Sequence, residues 1–115
     1  MLGFSSNLRY FLCCMTVDMR NGFDGLAGIV RNHLKNDPIS GDVFIFINKK
    51  RSHIKLLYWD GDGFALFYKR LEQGRYAFTP SNEPSRPIKK EELMMLLEGL
   101  SFEGMGKKKR YAHKS

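Results

Sequence analysis

The stretch IKLLYWDGDGFALFYKRL, residues 54–71, contains two strand-like runs joined by a turn and is the strongest structural signal in the sequence. Residues 54–59 and 64–71 are rich in β-branched and aromatic side chains, which favour strands. The connecting residues 60–63, Asp-Gly-Asp-Gly, are a strong signal for a tight hairpin turn. The sequence therefore predicts an antiparallel hairpin in the middle of the chain.

Further strands are predicted on both sides of this hairpin. Residues 43–47 alternate β-branched and aromatic side chains, and the basic loop 48–52 joins them to the hairpin. Residues 75–78 could add a short fourth strand. The apolar run at residues 8–15 also favours a strand, although a buried helical turn fits the same residues.

Apolar residues at helical spacing predict two helices. The first begins near residue 23, with Asn21 or Thr16 as candidate caps, and ends before Pro38. Its apolar stripe consists of Phe23, Leu26, Ile29, Val30 and Leu34. The second helix covers residues 90–100 and aligns four leucines, whereas the Pro- and Ser-rich residues 79–88 predict a linker without regular structure.

These elements predict one α+β domain with a mostly antiparallel sheet of four to five strands and two helices packed on one face. The chain has 115 residues, which fits a single domain. Residues 1–7 are predicted to be an N-terminal extension, residues 8–103 the domain, and residues 104–115 a disordered basic tail.

The composition excludes several classes of protein. With 43% hydrophobic residues the chain is not disordered throughout, and no apolar run approaches the ~20 residues of a membrane-spanning helix. The two cysteines, Cys13 and Cys14, are neighbours, and neighbouring cysteines rarely bridge each other. A reducing cytoplasm is the expected compartment.

The formal net charge of +7 is unevenly distributed along the chain. Residues 1–45 are neutral, with four basic and four acidic residues, whereas residues 46–79 carry seven basic residues against three acidic ones. Residues 80–115 carry eight basic residues against five glutamates. A basic half beside a neutral half suggests a polyanion partner, although a merely soluble basic surface has the same composition.

The candidate nucleic-acid contacts lie on the basic loop and the neighbouring strands. They are Lys49, Lys50, Arg51, His53, Lys55, Lys69, Arg70 and Arg75. For the loop, phosphate contact and plain solvation are both compatible with the sequence. Four aromatic residues could stack on unpaired bases, anchor a protein partner or simply pack within the sheet: Tyr58, Trp59, Phe67 and Tyr68.

No catalytic, metal or cofactor site is predicted. Residues 60–63 lack the ligand spacing and the terminal Glu of a calcium loop, so they favour a turn. The three histidines are isolated and, with Cys13 and Cys14, do not form zinc spacing. No carboxylates are seen to converge as a two-metal nuclease requires.

Four segments of the chain, in order, resemble one protein family. They are DMRNGFDGLAGIV (residues 18–30), DPISGDVFIFINKKR (37–51), IKLLYWDGDGFALFYKRLEQGRYAF (54–78) and EELMMLLEGL (91–100). The chain is similar to the TnpB accessory proteins, which are the second open reading frame products of bacterial insertion sequence 66 elements. The resemblance covers about residues 10–103, and the block at residues 59–74 is its most specific part.

The resemblance implies a helper of DNA transposition that is encoded beside a larger transposase. It supplies no catalytic residues to carry over to this chain. We therefore expect a non-catalytic bacterial accessory protein that binds DNA at the insertion-element ends, the element-encoded transposase, or both. The alternative is an adaptor for the transposase with no direct DNA contact.

Overall fold

The computed structural model describes residues 7–100, which form five strands and two helices. In chain order these are β1 (Tyr10–Cys13), α1 (Phe23–Asn32), β2 (Val43–Ile47), β3 (His53–Trp59), β4 (Phe64–Arg70), β5 (Ser85–Ile88) and α2 (Lys90–Glu98). The predicted tail at 104–115 and nearly all of the predicted extension at 1–7 lie outside the described residues.

The strands form one five-stranded sheet in the order β4-β3-β2-β1-β5. Strands β1 and β2 run parallel, and the other three neighbouring pairs are antiparallel. A parallel pair needs a long crossover connection, which the segment containing α1 supplies. The predicted α+β class with a mostly antiparallel sheet is confirmed.

The central strand β2 is buried along its whole length, VFIFI. Because successive side chains of a strand point to opposite faces, both faces of the sheet must be covered. On one face, β2 presents Phe44 and Phe46 to a core that includes Leu26, Ala27 and Val30 of α1. On the other face, Val43, Ile45 and Ile47 share a core with Leu93 and Leu96 of α2.

The two helices therefore lie on opposite faces of the sheet, and the prediction that both pack on one face is wrong. The physical reason is the apolar character of β2 on both sides, since one covering layer would leave the second row of side chains in water. We call these the α1 face and the α2 face.

The predicted linker contains the edge strand β5, which pairs antiparallel with β1. Its sequence, SRPI, has no apolar alternation and includes Pro87, which sheets tolerate at an edge. The short strand predicted at residues 75–78 is absent from the described fold, because Arg75 forms only an isolated bridge with Leu100. Tyr76 and Phe78 are nevertheless buried in the core of the α2 face.

The first helix begins without either of its predicted caps. Gly22 occupies the N-cap position, and no side chain caps the helix. The Asn21 side chain instead donates a hydrogen bond of 3.0 Å to the carbonyl oxygen of Asp18. The N-terminal apolar run is a strand, β1, rather than a helical turn.

Lys55 fastens the segment before α1 to the sheet. Its side chain lies on the α1 face, and its Nζ donates hydrogen bonds of 2.8 Å to the carbonyl oxygens of Met19 and Asn21. The ammonium also lies 4.5 Å from the centre of the Tyr68 ring, within cation–π range. Only 5% of the residue is exposed, and burial lowers the pKa of its ammonium. Lys55 thus fixes where residues 16–22 sit relative to β3.

Replacing this lysine should destabilise the fold. In Lys55→Met the apolar stem is kept, but two carbonyl oxygens lose their donor, which typically costs about 1–3 kcal/mol of unfolding free energy. Chemical denaturation measures the loss, and hydrogen exchange should show faster opening of the amides of residues 18–22. The exposed Lys50 provides the control, since Lys50→Met should change the unfolding free energy by less than about 0.5 kcal/mol. Equal stability of the two variants would contradict this role of Lys55.

Candidate nucleic-acid interface

The loop between β2 and β3 is built around the side chain of Asn48. Its Oδ1 accepts hydrogen bonds from the backbone N–H groups of Ser52 and His53, at 2.9 and 3.0 Å. The backbone N–H of Arg51 donates to the Asn48 carbonyl oxygen at 3.0 Å, which closes a turn. Arg51 adopts a positive φ of 60°, a conformation that is uncommon for a residue with a side chain. The loop therefore has a defined shape.

Hydrogen bonds between Arg51 and residues 76 and 78 also hold the loop in place. The carbonyl oxygen of Arg51 accepts a hydrogen bond of 2.7 Å from the Tyr76 backbone N–H. The Arg51 guanidinium donates to the Phe78 carbonyl oxygen at 3.2 Å. Arg51 was predicted to contact nucleic acid, but part of its guanidinium serves the fold instead.

Lys49 and Lys50 form the exposed tip of this loop. Within residues 7–100, neither ammonium has an ion-pair partner. The loop thus presents two adjacent positive charges to solvent on a hydrogen-bonded frame.

His53 lies next to the two lysines, at the start of β3. The tautomer of its ring follows from the neighbouring hydrogen bonds. The Asn48 amide donates to Ser52 Oγ at 3.1 Å, and Ser52 Oγ lies 2.7 Å from His53 Nδ1. Because the Asn48 amide also approaches Nδ1, at 3.3 Å, this ring nitrogen is best assigned as an acceptor. The neutral ring then carries its proton on Nε2, which is a hydrogen-bond donor. We call Lys49, Lys50 and His53 the hairpin-loop site.

An open groove of about 530 Å³ runs beside the hairpin-loop site. One wall is the loop, and the other is the segment that Lys55 holds in place. The lining residues are Thr16, Val17, Asp18, Met19, Asn48, Lys49, Lys50, Ser52 and His53. Two separate strand connections therefore meet at one surface, which the sequence alone did not reveal.

Asp18 brings one negative charge to this groove. It forms an ion pair with Arg20, with Arg20 Nη2 2.8 Å from Asp18 Oδ2. Hydrogen bonds from the Arg20 side chain and backbone lower the pKa of Asp18 to about 2, so the carboxylate is ionised at neutral pH. Sequence reasoning missed this pair, and the only signal was an acid and a base two residues apart.

The other predicted basic contacts are spread over the molecule. Lys55 is buried and holds a loop, so the prediction that it contacts nucleic acid does not fit its position. Lys69 Nζ donates to the Leu97 carbonyl oxygen at 2.9 Å, next to the end of α2, where a positive charge stabilises the helix. Arg70 pairs with Glu72 at 3.0 Å. Arg75 is exposed, and its backbone bridges to Leu100.

The four predicted interface aromatics do not form one surface. Tyr58 and Phe67 pack against the core of the α2 face. Trp59, in contrast, meets Phe64 edge-on, with ring centres 5.1 Å apart, and Phe64 packs against the core of the α1 face. Tyr68 is 52% exposed and covers the Lys55 ammonium.

Residues 7–100 contain neither a cluster of metal-binding side chains nor a membrane-spanning helix. They contain no cluster of three or more His, Cys, Asp or Glu side chains arranged to hold a metal ion. Neither helix within residues 7–100 is long and apolar enough to cross a membrane.

Comparisons with known proteins identify the family. A family model described as IS66 Orf2 like protein matches residues 8–107. The chain is 36% identical over 102 residues to the uncharacterized protein y4jC of Sinorhizobium fredii, covering 89% of this chain and 87% of that one. It is 34% identical over 102 residues to the uncharacterized protein y4hO of the same organism, covering 89% of both chains. No solved structure matches the chain. The chain belongs to the IS66 Orf2-like family, the TnpB accessory proteins of IS66 insertion sequences.

Proposed function

We propose that this insertion-sequence accessory protein binds DNA directly, without catalysis, and that it does so through the hairpin-loop site. The observation that carries the proposal is the exposed pair Lys49 and Lys50, which has no ion-pair partner within residues 7–100. Lysine ammonium groups contact phosphate oxygens as point charges, and each contact releases counterions from the DNA.

The frame beneath the two lysines supports this role. Because the Asn48 and Arg51 hydrogen bonds fix the backbone of the loop, less conformational freedom is lost when the loop meets a partner. The Nε2–H donor of His53 adds a third group that can donate to a phosphate oxygen. Together these residues fit a short stretch of the DNA backbone.

The site is suited to backbone contact rather than to reading bases. Specific readout needs side chains such as Asn or Arg that are free to form paired hydrogen bonds with a base edge. The Asn48 side chain is used within the loop, and the Arg51 guanidinium binds the Phe78 carbonyl oxygen. We therefore expect affinity with little sequence preference from this site.

A transposase adaptor is the second candidate function. It is favoured by Tyr68, a large aromatic side chain on the sheet that is 52% exposed. Tyrosine is a common anchor of protein interfaces. Co-purification with the element's transposase at high salt, without DNA, would favour this second role, and a pair that never associates would count against it.

Removing the two lysines should weaken DNA binding in a salt-dependent way. For Lys49→Ala combined with Lys50→Ala, the slope of log affinity against log salt should flatten by about two units, since each lost duplex phosphate contact contributes about 0.9. Fluorescence anisotropy with duplex DNA at several salt concentrations measures the slope.

The matched control removes two exposed or half-exposed charges elsewhere, Arg31→Ala combined with Lys90→Ala, and so has the same net charge. That control should keep most of the wild-type slope. If the two double variants lose slope equally, binding reflects net charge and the hairpin-loop site is not the contact.

Removing the acid from the groove should have the opposite effect. Asp18→Asn retains an oxygen that can accept the Arg20 backbone N–H, but it removes the negative charge and frees the Arg20 guanidinium. We expect tighter DNA binding and a steeper salt dependence, measured in the same titration. Weaker binding by a correctly folded Asp18→Asn protein would place the DNA away from this groove.

A further inference from the structure

Among residues 7–100, strand β4 forms one edge of the sheet and has only β3 as a neighbour. It is seven residues long and contains no proline. The opposite edge, β5, has four residues including Pro87, which is a common way to protect an edge. The two described edges thus differ: β4 is longer, has no proline, and carries its charged residues, Lys69 and Arg70, at one end only.

The hydrogen-bond register shows which groups of β4 face outward. At one end of the ladder Asp60 N–H donates to the Gly63 carbonyl oxygen, and at the other Leu71 N–H donates to the Ser52 carbonyl oxygen. Because antiparallel strands bond through every second residue, the odd-numbered residues of β4 bond to β3. The peptide groups of Phe64, Leu66, Tyr68 and Arg70 therefore point outward, and they have no backbone partner among residues 7–100.

The side chains of β4 are incompletely covered as well. None is buried, although Phe64, Leu66 and Phe67 are large and apolar. A further strand would pair the outward peptide groups and shield these side chains together. An exposed edge of this kind is a template for pairing with another strand.

The charges along the β3–β4 hairpin favour a second copy of β4 as the additional strand. The hairpin turn carries Asp60 and Asp62, whereas the far end of β4 carries Lys69 and Arg70, followed by Glu72, which pairs with Arg70 within the same chain. That end therefore keeps one net positive charge, against two negative charges at the turn. A second β4 running antiparallel would place the acidic turn of each copy beside the basic end of the other. A parallel arrangement would instead place acid beside acid and base beside base.

We propose that β4 pairs antiparallel with β4 of a second copy of this chain, which joins the two sheets into one. The register centred on Leu66 meets the hydrogen-bonding requirement, because it sets outward-facing residues opposite each other. It places Phe64 opposite Tyr68 of the second copy and brings Asp62 close to that copy's Arg70. No residue of the hairpin-loop site lies in β4, although the His53 ring is 5.9 Å from the ring of Tyr68, so association is measured in the absence of DNA.

Sedimentation equilibrium of the full chain in the absence of DNA tests the proposal. We expect a reversible monomer–dimer equilibrium over a concentration series. Leu66→Pro removes an outward N–H without removing a bond to β3, and it should raise the dimer dissociation constant at least about tenfold. Leu66→Val keeps the N–H and is the control, which should remain dimeric.

A charge exchange gives a second test that does not depend on proline. Asp62→Arg should weaken the dimer, and adding Arg70→Asp to it should restore association by reversing both partners. A chain that stays monomeric throughout, or a dimer that neither Leu66→Pro nor Asp62→Arg weakens, would overturn the proposal. Association that requires the transposase would overturn it too, because the occupant of the edge would then be that protein.

Discussion

The burial of β2 on both faces is the constraint on which the rest of the structure depends. Five consecutive apolar residues at the centre of the sheet require a cover on each side. Helix α1 provides one cover and α2, together with the buried Tyr76 and Phe78, provides the other. The parallel pairing of β1 and β2 serves the same arrangement, because it requires a connection that crosses one face of the sheet, and α1 lies in that connection.

The elements that form the core also position the hairpin-loop site. The loop that joins β2 and β3 is held by hydrogen bonds to the Asn48 side chain and by hydrogen bonds between Arg51 and residues 76 and 78. On the α1 face, the buried ammonium of Lys55 holds the segment that forms the other wall of the groove. Two lysines are thereby left exposed while neighbouring basic residues serve the fold. Among the basic residues at positions 49–55, the buried Lys55 is therefore not available to a polyanion.

Much of the sheet could be predicted from the sequence because β2, β3 and β4 are rich in β-branched and aromatic residues and are joined by short loops. Strand β5 could not, since SRPI owes its strand conformation to pairing with β1 rather than to its own side chains. The face of the sheet on which each helix packs depends on the path of the crossover connection, and no local sequence pattern indicates that path.

For the candidate site, the position of Lys49 and Lys50 in a loop was visible in the sequence. The burial of Lys55 was harder to foresee, although a lysine between Ile54 and Leu56 in an apolar strand is a signal. The approach of Asp18 to the loop comes from tertiary contacts alone.

We propose that DNA binds this protein at the hairpin-loop site. The most direct measurement is a two-dimensional amide NMR titration of the full chain with a short DNA duplex at low salt. We expect the largest shifts on residues 49–53 and on residues 16–19 across the groove, and we expect these shifts to diminish as salt is added. Shifts confined to β4 or α2, or no shifts at all at low salt, would contradict it.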